Sequence, residues 1–313
     1  MMLLARLSRP ILCGAVVLAL ALGGATATAD TRAVGCGTSR VGEITVATLH
    51  NAPIVTLVAN GAPLTLLLDT GAEWTIVTPA AAKRVGAQTP RIEFDRQVRG
   101  LSGSLATNEV ELRSFTAGGV TIPWRRVRVA SLNMPSVFSG PLDGVLGADT
   151  LSSFDIDLDL PHHRMVFYGK QSCPSAAPTW AEPYATIAVR KTFSNHLSFP
   201  AQLDGRQIDA FIDTGAQLSV LSSKAALALG VTDAALSRDR ATVTLGAAAE
   251  RLDSHLHRFS HMEVGGEVVR NPALIIADVS LKDAELVLGI DFLGSRRVWL
   301  SYGSQQIFLA RRT

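Results

Sequence analysis

Cysteine is scarce in this chain of 313 residues, which contains 3 cysteines. Cys13 lies in an N-terminal apolar stretch, which leaves Cys36 and Cys173. Neither has a nearby cysteine or histidine at metal-ligand spacing, so a structural role is favoured over metal binding. In an oxidising compartment the two predict one disulfide between the N-terminal segment and the end of the first half of the chain; two free or buried thiols are the alternative.

An excess of either charge is also lacking. The chain has 29 basic and 27 acidic residues, and the first 29 residues contain Arg6 and Arg9 but no acid. Without that segment the counts are 29 − 2 = 27 basic and 27 acidic residues. A net charge near zero argues against nucleic acid as the main partner.

Apolar runs of membrane-spanning length are absent from the sequence. The longest apolar stretch, Ile11 to Leu22, follows Arg6 and Arg9 and precedes Ala27-Thr28-Ala29. This pattern is typical of an export signal, so we expect residues 1–29 to be a signal peptide and the mature chain to be periplasmic or secreted, without a membrane span. An uncleaved N-terminal anchor is the alternative.

What the chain does contain is an internal duplication. The tetrapeptide Asp-Thr-Gly-Ala occurs at residues 69–72 and again at residues 213–216, an offset of 144. The surrounding turn, helix-cap and helix-stop signals keep that offset: Asn60-Gly61 and Asp204-Gly205, Thr78 and Ser222, Gly86 and Gly230. A register this constant predicts a tandem repeat of one structural unit.

A second matched element follows in each copy, at residues 144–151 and 285–293. In the first copy, Asp149 of this element lies 80 residues after Asp69 (149 − 69). In the second copy, Asp291 lies 78 residues after Asp213 (291 − 213). The rest of each copy consists of short apolar runs between glycine, asparagine and aspartate turns, which predicts an all-β fold with one or two short helices per copy.

The segment between the copies is rich in proline, at Pro174, Pro178 and Pro183. It predicts a linker over residues 171–183, with unit 1 at residues 30–170 and unit 2 at residues 184–313.

Two matched aspartates suggest one shared site. A single Asp-Thr-Gly is a common turn, but hydrolysis of an amide by water requires both a base and an acid. Two carboxylates about 3 Å apart share one proton and supply both. Since each copy contributes one aspartate, Asp69 and Asp213 are predicted to meet between the copies on a pseudo-twofold axis, at the ends of rigid apolar strands.

The segments at residues 67–77 and 211–221 resemble the active-site segment of retropepsin-like aspartic proteases, and residues 144–151 and 286–293 are similar to that family's second element. The resemblance implies two retropepsin-like acid-protease barrels in tandem, related by a pseudo-twofold axis, and no cofactor or metal. The residues that match the family are Asp69 and Asp213 as the catalytic pair, Thr70 and Thr214 as the loop-locking threonines, and Gly71, Ala72, Gly215 and Ala216 as positions whose backbone lines the substrate cleft.

Further residues invite interpretation by position. Residues 99–104 and 245–249 are candidate flaps over the site. Asp149 and Asp291 are expected to cap the following helix and bond the adjacent loop. Asp155, Asp157 and Asp159 alternate along a strand, which favours a solvated edge over a calcium-binding surface. His255, His257 and His261 lack the partners of a tetrahedral metal site, so an exposed strand face is expected instead.

The sequence therefore predicts an exported aspartic endopeptidase that acts on peptides or proteins as a monomer with an internal pseudo-dimer. A non-catalytic peptide-binding module of the same fold is the alternative from another functional class. A third hypothesis keeps the chemistry but pairs each copy with its equivalent in another chain, which a linker of about a dozen residues permits.

Overall fold

The computed structural model describes residues 38–90, 96–100, 103–132, 142–170, 177–245 and 251–311. These residues belong to one compact unit. The predicted signal peptide and the cysteines Cys36 and Cys173, including their predicted disulfide, lie outside the described residues. Within the described residues, none of the helices has the length and hydrophobicity needed to cross a membrane.

The first copy is built mainly of strands. Its elements in chain order are β1 (Arg40–Thr45), β2 (Ala47–Leu49), β3 (Ala52–Ala59), β4 (Ala62–Leu68), β5 (Ile76–Val77), α1 (Pro79–Arg84), β6 (Arg96–Gly100), β7 (Gly103–Glu111), β8 (Phe115–Ala117), β9 (Val120–Thr121), β10 (Arg126–Val129), β11 (Gly144–Leu146), α2 (Ala148–Leu151), β12 (Asp155–Asp159) and β13 (Arg164–Tyr168).

The second copy repeats this order with one more short helix. Its elements are β14 (Tyr184–Ala188), β15 (Arg190–Lys191), β16 (Leu197–Leu203), β17 (Arg206–Ile212), β18 (Val220–Ser222), α3 (Ser223–Ala228), α4 (Asp233–Leu236), β19 (Arg240–Leu245), β20 (Arg251–Arg258), β21 (His261–Val264), β22 (Glu267–Arg270), β23 (Ala273–Ala277), β24 (Leu286–Leu288), α5 (Ile290–Leu293), β25 (Arg297–Ser301) and β26 (Gln306–Ala310).

Each copy forms its own ten-stranded sheet, and the two sheets have the same topology among the described residues. The first runs β6-β7-β10-β5-β11-β4-β3-β8-β9 with β2 beside β3, and the second runs β19-β20-β23-β18-β24-β17-β16-β21-β22 with β15 beside β16. The all-β fold and the tandem repeat are therefore confirmed.

A third sheet joins the copies. Its order is β1-β13-β12-β25-β26-β14, so the antiparallel pair β12 and β25 connects three strands of the first copy to three of the second. One apolar cluster continues through both copies and includes Leu57 and Leu66 of the first and Phe199 and Leu288 of the second. The two copies therefore share both a sheet and a core.

The local signals in the sequence produce the predicted geometry. Asn60 and Gly61 have φ values of 52° and 85°, as a type I′ turn requires, and Asp204 and Gly205 have φ values of 48° and 79°. The hydroxyl of Thr78 accepts a hydrogen bond from the Ala81 amide, which confirms the predicted cap of α1. Ser222 caps α3 in the same way.

The prediction of a solvated edge at Asp155, Asp157 and Asp159 was wrong. Strand β12 lies in the middle of the joining sheet, between β13 and β25, and all three aspartates are at most 4% exposed. Their carboxylates have partners in the protein instead: Asp155 accepts from the amide of Gly303, Asp157 pairs with Arg297, and Asp159 lies 2.8 Å from Nδ1 of His162. The alternation in sequence was real, but the face that it marks is covered by the second copy.

Candidate active site

Each Asp-Thr-Gly-Ala motif begins where a buried strand ends. Strands β4 and β17 finish in the apolar runs 66–68 and 210–212, all of which are buried. The second matched element supplies the neighbouring strand: the amide of Asp69 donates to Leu146 O at 3.1 Å, and that of Asp213 donates to Leu288 O at 2.9 Å. This explains why the two elements recur together, since β11 and β24 hold the motif strands in place.

The threonines connect the two motif loops by a reciprocal set of hydrogen bonds. Thr70 Oγ1 donates to Ile212 O and Thr214 Oγ1 donates to Leu68 O, both at 2.7 Å. Each hydroxyl also accepts from the amide of the other threonine, both at 3.1 Å. Because both side chains are buried, these bonds hold the loops together without competition from water.

The glycines bring the carboxyl groups together. A Cβ on Gly71 would lie 2.3 Å from Cγ of Asp213, and a Cβ on Gly215 would lie 2.4 Å from Cγ of Asp69. No side chain fits at either position without displacing the opposite carboxyl. Glycine is therefore required here by close approach.

Backbone amides hold one oxygen of each carboxyl. Asp69 Oδ1 accepts from Gly71 N at 3.0 Å and Ala72 N at 2.8 Å. Asp213 Oδ1 accepts from Gly215 N at 2.8 Å and Ala216 N at 3.2 Å. The carbonyls of Ala72 and Ala216 are engaged by the first amides of α2 and α5, both at 2.8 Å, which fixes these loops from the other side.

The electrostatics of the pair favour a shared proton. Desolvation by burial raises the pKa of Asp69 well above its ordinary value, and the charge of Asp213 and a hydrogen bond between the two side chains raise it further. The amides of Ala72 and Gly71 lower the same pKa by a smaller amount. Two carboxyls in this contact oppose each other's ionisation, which is the electrostatic part of the raised pKa of Asp69.

Asp149 and Asp291 support the loops that follow the motifs. Asp149 Oδ1 accepts from the amide and hydroxyl of Thr75 at 2.8 and 2.7 Å, and Asp291 Oδ1 accepts from the hydroxyl of Ser219 at 2.8 Å. The predicted bond to the adjacent loop is confirmed. The predicted helix cap was wrong, because the N-cap positions are Gly147 and Gly289, which have no side chain to accept a bond.

The candidate flaps are antiparallel hairpins at the ends of the two ten-stranded sheets. Gly100 of β6 lies opposite Gly103 of β7, and Leu245 of β19 lies opposite Arg251 of β20. Their tips, residues 101–102 and 246–250, lie outside the described residues.

The two sides of the site differ chemically. The guanidinium of Arg128 lies 4.1 Å from the ring centre of Trp74, which follows the first motif, whereas the equivalent of Trp74 is Leu218, with 45% of its surface exposed. Sequence reasoning missed Arg128, because it falls inside the apolar run Val127 to Ala130. The only signal in the sequence is that an arginine interrupts the apolar residues Val127, Val129 and Ala130.

The histidines singled out in the sequence lie along the second copy. His257 Nδ1 lies 2.6 Å from Asp239 Oδ2, and His261 Nδ1 lies 3.6 Å from Asp204 Oδ1. Among the residues that the structure describes, no group of three or more histidine, cysteine or acidic side chains is arranged to hold a metal ion.

Comparison with known proteins gives the same division into two copies. Residues 54–150 match a family model described as aspartyl protease, and residues 199–295 match a model for an aspartyl protease of gag polyproteins. No curated protein matches the sequence at a significant level.

Among solved structures, the chain is similar to the crystal structure of an aspartic proteinase from Irpex lacteus. The two share 15% sequence identity with a TM-score of 0.54, and the match covers 87% of this chain and 97% of that one. At this identity the likeness concerns the fold. Together with the two family matches, it shows that the chain belongs to the retropepsin-like aspartic protease family, as two units in tandem.

Proposed function

We propose that the protein is an exported aspartic endopeptidase in which Asp69 and Asp213 form an intramolecular catalytic dyad. The observation that carries this proposal is the reciprocal close approach of the two motifs. The carboxyl of each aspartate occupies the space where a side chain on the glycine of the other motif would lie. Both carboxyls are oriented by amides of their own loops, so the geometry is set before a substrate binds.

The reaction follows from the shared proton. The ionised carboxylate of the pair removes a proton from a water molecule, and the protonated carboxyl donates to the carbonyl oxygen of the scissile peptide bond. Addition of the hydroxide to the carbonyl carbon gives a tetrahedral intermediate. The C–N bond then breaks as the pair donates a proton to the leaving nitrogen and takes up a hydroxyl proton of the intermediate, which gives the amine, the carboxylic acid and the pair with its one proton. The raised pKa of Asp69 supports retention of the proton that this cycle needs.

The remaining motif residues have positioning roles in this proposal. Thr70 and Thr214 fix the distance between the loops, and Gly71 and Gly215 permit the contact of the carboxyls. Ala72 and Ala216 contribute the amides that bind Oδ1 of each aspartate. Peptide substrates are expected from the family, and a periplasmic or extracellular location is proposed from the signal-like residues 1–29.

The test is cleavage of a denatured protein between pH 3 and 7 by the wild type, Asp69→Asn and Asp213→Asn. Loss of one member of the pair removes acid and base function together, so each variant should be slower by at least about 10²–10⁴-fold. Asp209→Asn is the control, because Asp209 lies in an exposed ion pair with Arg190. Full activity of Asp213→Asn would rule out the dyad, and peptide binding without cleavage by the wild type would favour the non-catalytic module. N-terminal sequencing of the protein recovered from its compartment tests export.

A further inference from the structure

The strands that join the copies, β12 and β25, meet on the pseudo-twofold axis. In this part of the chain equivalent residues are 142 apart, as in Asp149 and Asp291 (291 − 149), so Trp299 is the equivalent of Asp157. The register pairs Asp157 with Trp299 and Asp159 with Arg297. A residue that is paired with its own equivalent lies on the axis, and the axis therefore passes between Asp157 and Trp299.

The two strands carry different chemistry at equivalent positions. One face of β12 presents three acids, and the same positions of β25 present one base, one aromatic residue and one hydroxyl. The equivalent pairs are Asp155 and Arg297, Asp157 and Trp299, and Asp159 and Ser301. Because alternate residues of a strand point to one face, each set forms one continuous surface.

The acids and the base meet across the joint. Arg297 donates to both carboxylate oxygens of Asp157, at 2.9 Å from Nε and 2.7 Å from Nη2, and its Nε lies 3.8 Å from Asp159. Trp180 Nε1 also donates to Asp157 at 3.1 Å, and Arg297 Nη1 donates to Glu182 at 3.1 Å. Trp180 and Glu182 belong to the segment that connects the copies, so the chain's own connection completes this cluster.

Pairing of a copy with itself would produce a different joint. Two first copies in the same register would set Asp157 against Asp157 and Asp155 against Asp159. The opposite strand would carry no arginine, and Arg164 of β13, which lies 3.7 Å from Asp159, would remain in each copy. Two second copies would set Trp299 against Trp299 and would deprive each Arg297 of Asp157 and Asp159, which leaves Glu182 of the connecting segment as its acid. Like charges directly opposite one another are destabilising in antiparallel pairs, and so is the loss of the two aspartates that Arg297 contacts.

We propose that β12 and β25 form a charge-selective pairing surface, on which each copy accepts the other copy and rejects a second copy of itself. The partner that fits β12 is a strand with a guanidinium at the position of Arg297. The connecting segment supplies that strand from the same chain. On this proposal, assembly from two equivalent copies, as in a symmetric dimer, is less stable for this sequence than pairing within the chain.

The test compares Arg297→Asp with Arg297→Asn in the full chain. Aspartate is the residue that the first copy has at the equivalent position, Asp155. Both variants lose the guanidinium contacts and have the same shape, so the difference between them isolates the added carboxylate. We expect amide hydrogen exchange in β12 and β25 to be about tenfold faster, or more, in Arg297→Asp than in Arg297→Asn.

Arg190→Asp and Arg190→Asn are the matched controls, because Arg190 pairs with Asp209 at 3.3 Å on the surface. Hydrogen exchange in β12 and β25 should be equally fast in these two variants. Equal exchange in the two Arg297 variants would overturn the proposal. If Arg297→Asp does not fold, Ser301→Asp and Ser301→Asn replace it, since Ser301 is the buried equivalent of Asp159. Equal stability of these two variants would overturn the proposal in the same way.

Discussion

The threonine bonds between the motif loops give the most quantitative prediction. Thr214→Val keeps the volume of the side chain and removes the hydroxyl, which donates to Leu68 O at 2.7 Å and accepts from Thr70 N at 3.1 Å. Thr214 is completely buried. The substitution therefore leaves one buried carbonyl and one buried amide without their partners.

The magnitude follows from the cost of an unsatisfied buried group. Each costs about 1–3 kcal/mol, so Thr214→Val should lower the free energy of unfolding by about 2–4 kcal/mol after partial relaxation. Thr214→Ser keeps the hydroxyl and loses one methyl group, which costs about 1 kcal/mol. Thr70→Val removes the equivalent two bonds, to Ile212 O and from Thr214 N, and should cost a similar amount.

The assay is denaturant unfolding of Thr214→Val, Thr214→Ser and the wild type. The slope of the unfolding free energy against denaturant concentration should be the same for all three proteins. Activity should fall more steeply than stability, since a shift of about 1 Å in a catalytic group can cost about 10²-fold. The double variant with Thr70→Val should lose less than the sum of the single losses, because once the loops separate, the remaining bonds no longer hold them. Equal unfolding midpoints for Thr214→Val and Thr214→Ser would refute the reasoning.

Three further predictions concern the carboxyl groups of the site. Gly71→Ala places a Cβ 2.3 Å from the opposite carboxyl carbon and should reduce the cleavage rate by about 10²-fold or more, whereas Gly169→Ala, with its nearest neighbour at 3.9 Å, should leave the rate unchanged. Because the pKa of Asp69 is raised above 3.8, the folded state binds more protons than the unfolded state above that pH, and the free energy of unfolding therefore falls as the pH rises. In Asp69→Asn the difference between the unfolding free energies measured at pH 4 and pH 7 should be smaller than in the wild type. Asp149→Ala should lower the unfolding free energy more than Asp291→Ala, by about 1–2 kcal/mol, because Asp149 Oδ1 accepts from three donors and Asp291 Oδ1 from one among the described residues.

Each of these has an outcome that contradicts it. Equal rates for Gly71→Ala and Gly169→Ala would mean that the carboxyls do not need their close contact. A pH dependence of stability that is identical in Asp69→Asn and the wild type would mean that Asp69 keeps its ordinary pKa. Equal losses for Asp149→Ala and Asp291→Ala would mean that the extra donors contribute nothing to stability.

The features that the sequence predicted correctly are those fixed by neighbouring residues. The two type I′ turns need positive φ at positions such as Asn60-Gly61, and the caps at Thr78 and Ser222 need a hydroxyl three residues before an amide. The pairing of Asp69 with Asp213 was predictable for a different reason. Asp69 and Asp213 occupy equivalent positions of two repeated units, so a twofold packing of the units about the motif loops places the two aspartates next to each other.

The features that were missed depend on residues far apart in the chain. Asp157 looked like part of a solvated edge because its partner, Arg297, is 140 residues away and on the other copy. Arg128 was hidden in an apolar run, and its position over Trp74 depends on the pairing of β10 with β5. Asp149 was assigned a capping role from its position, but α2 begins at Ala148, so Asp149 lies inside the first turn and Gly147 occupies the N-cap position.

The central claim is that two copies in one chain build one water-activating site. Titration of the active protein with a tight-binding peptide mimic that carries a hydroxyl at the scissile position tests it most directly, with the mass of the protein measured in the same solution. One inhibitor molecule bound per monomeric chain is the predicted result. One inhibitor per two chains, or activity that appears only as a dimer forms, would contradict the claim.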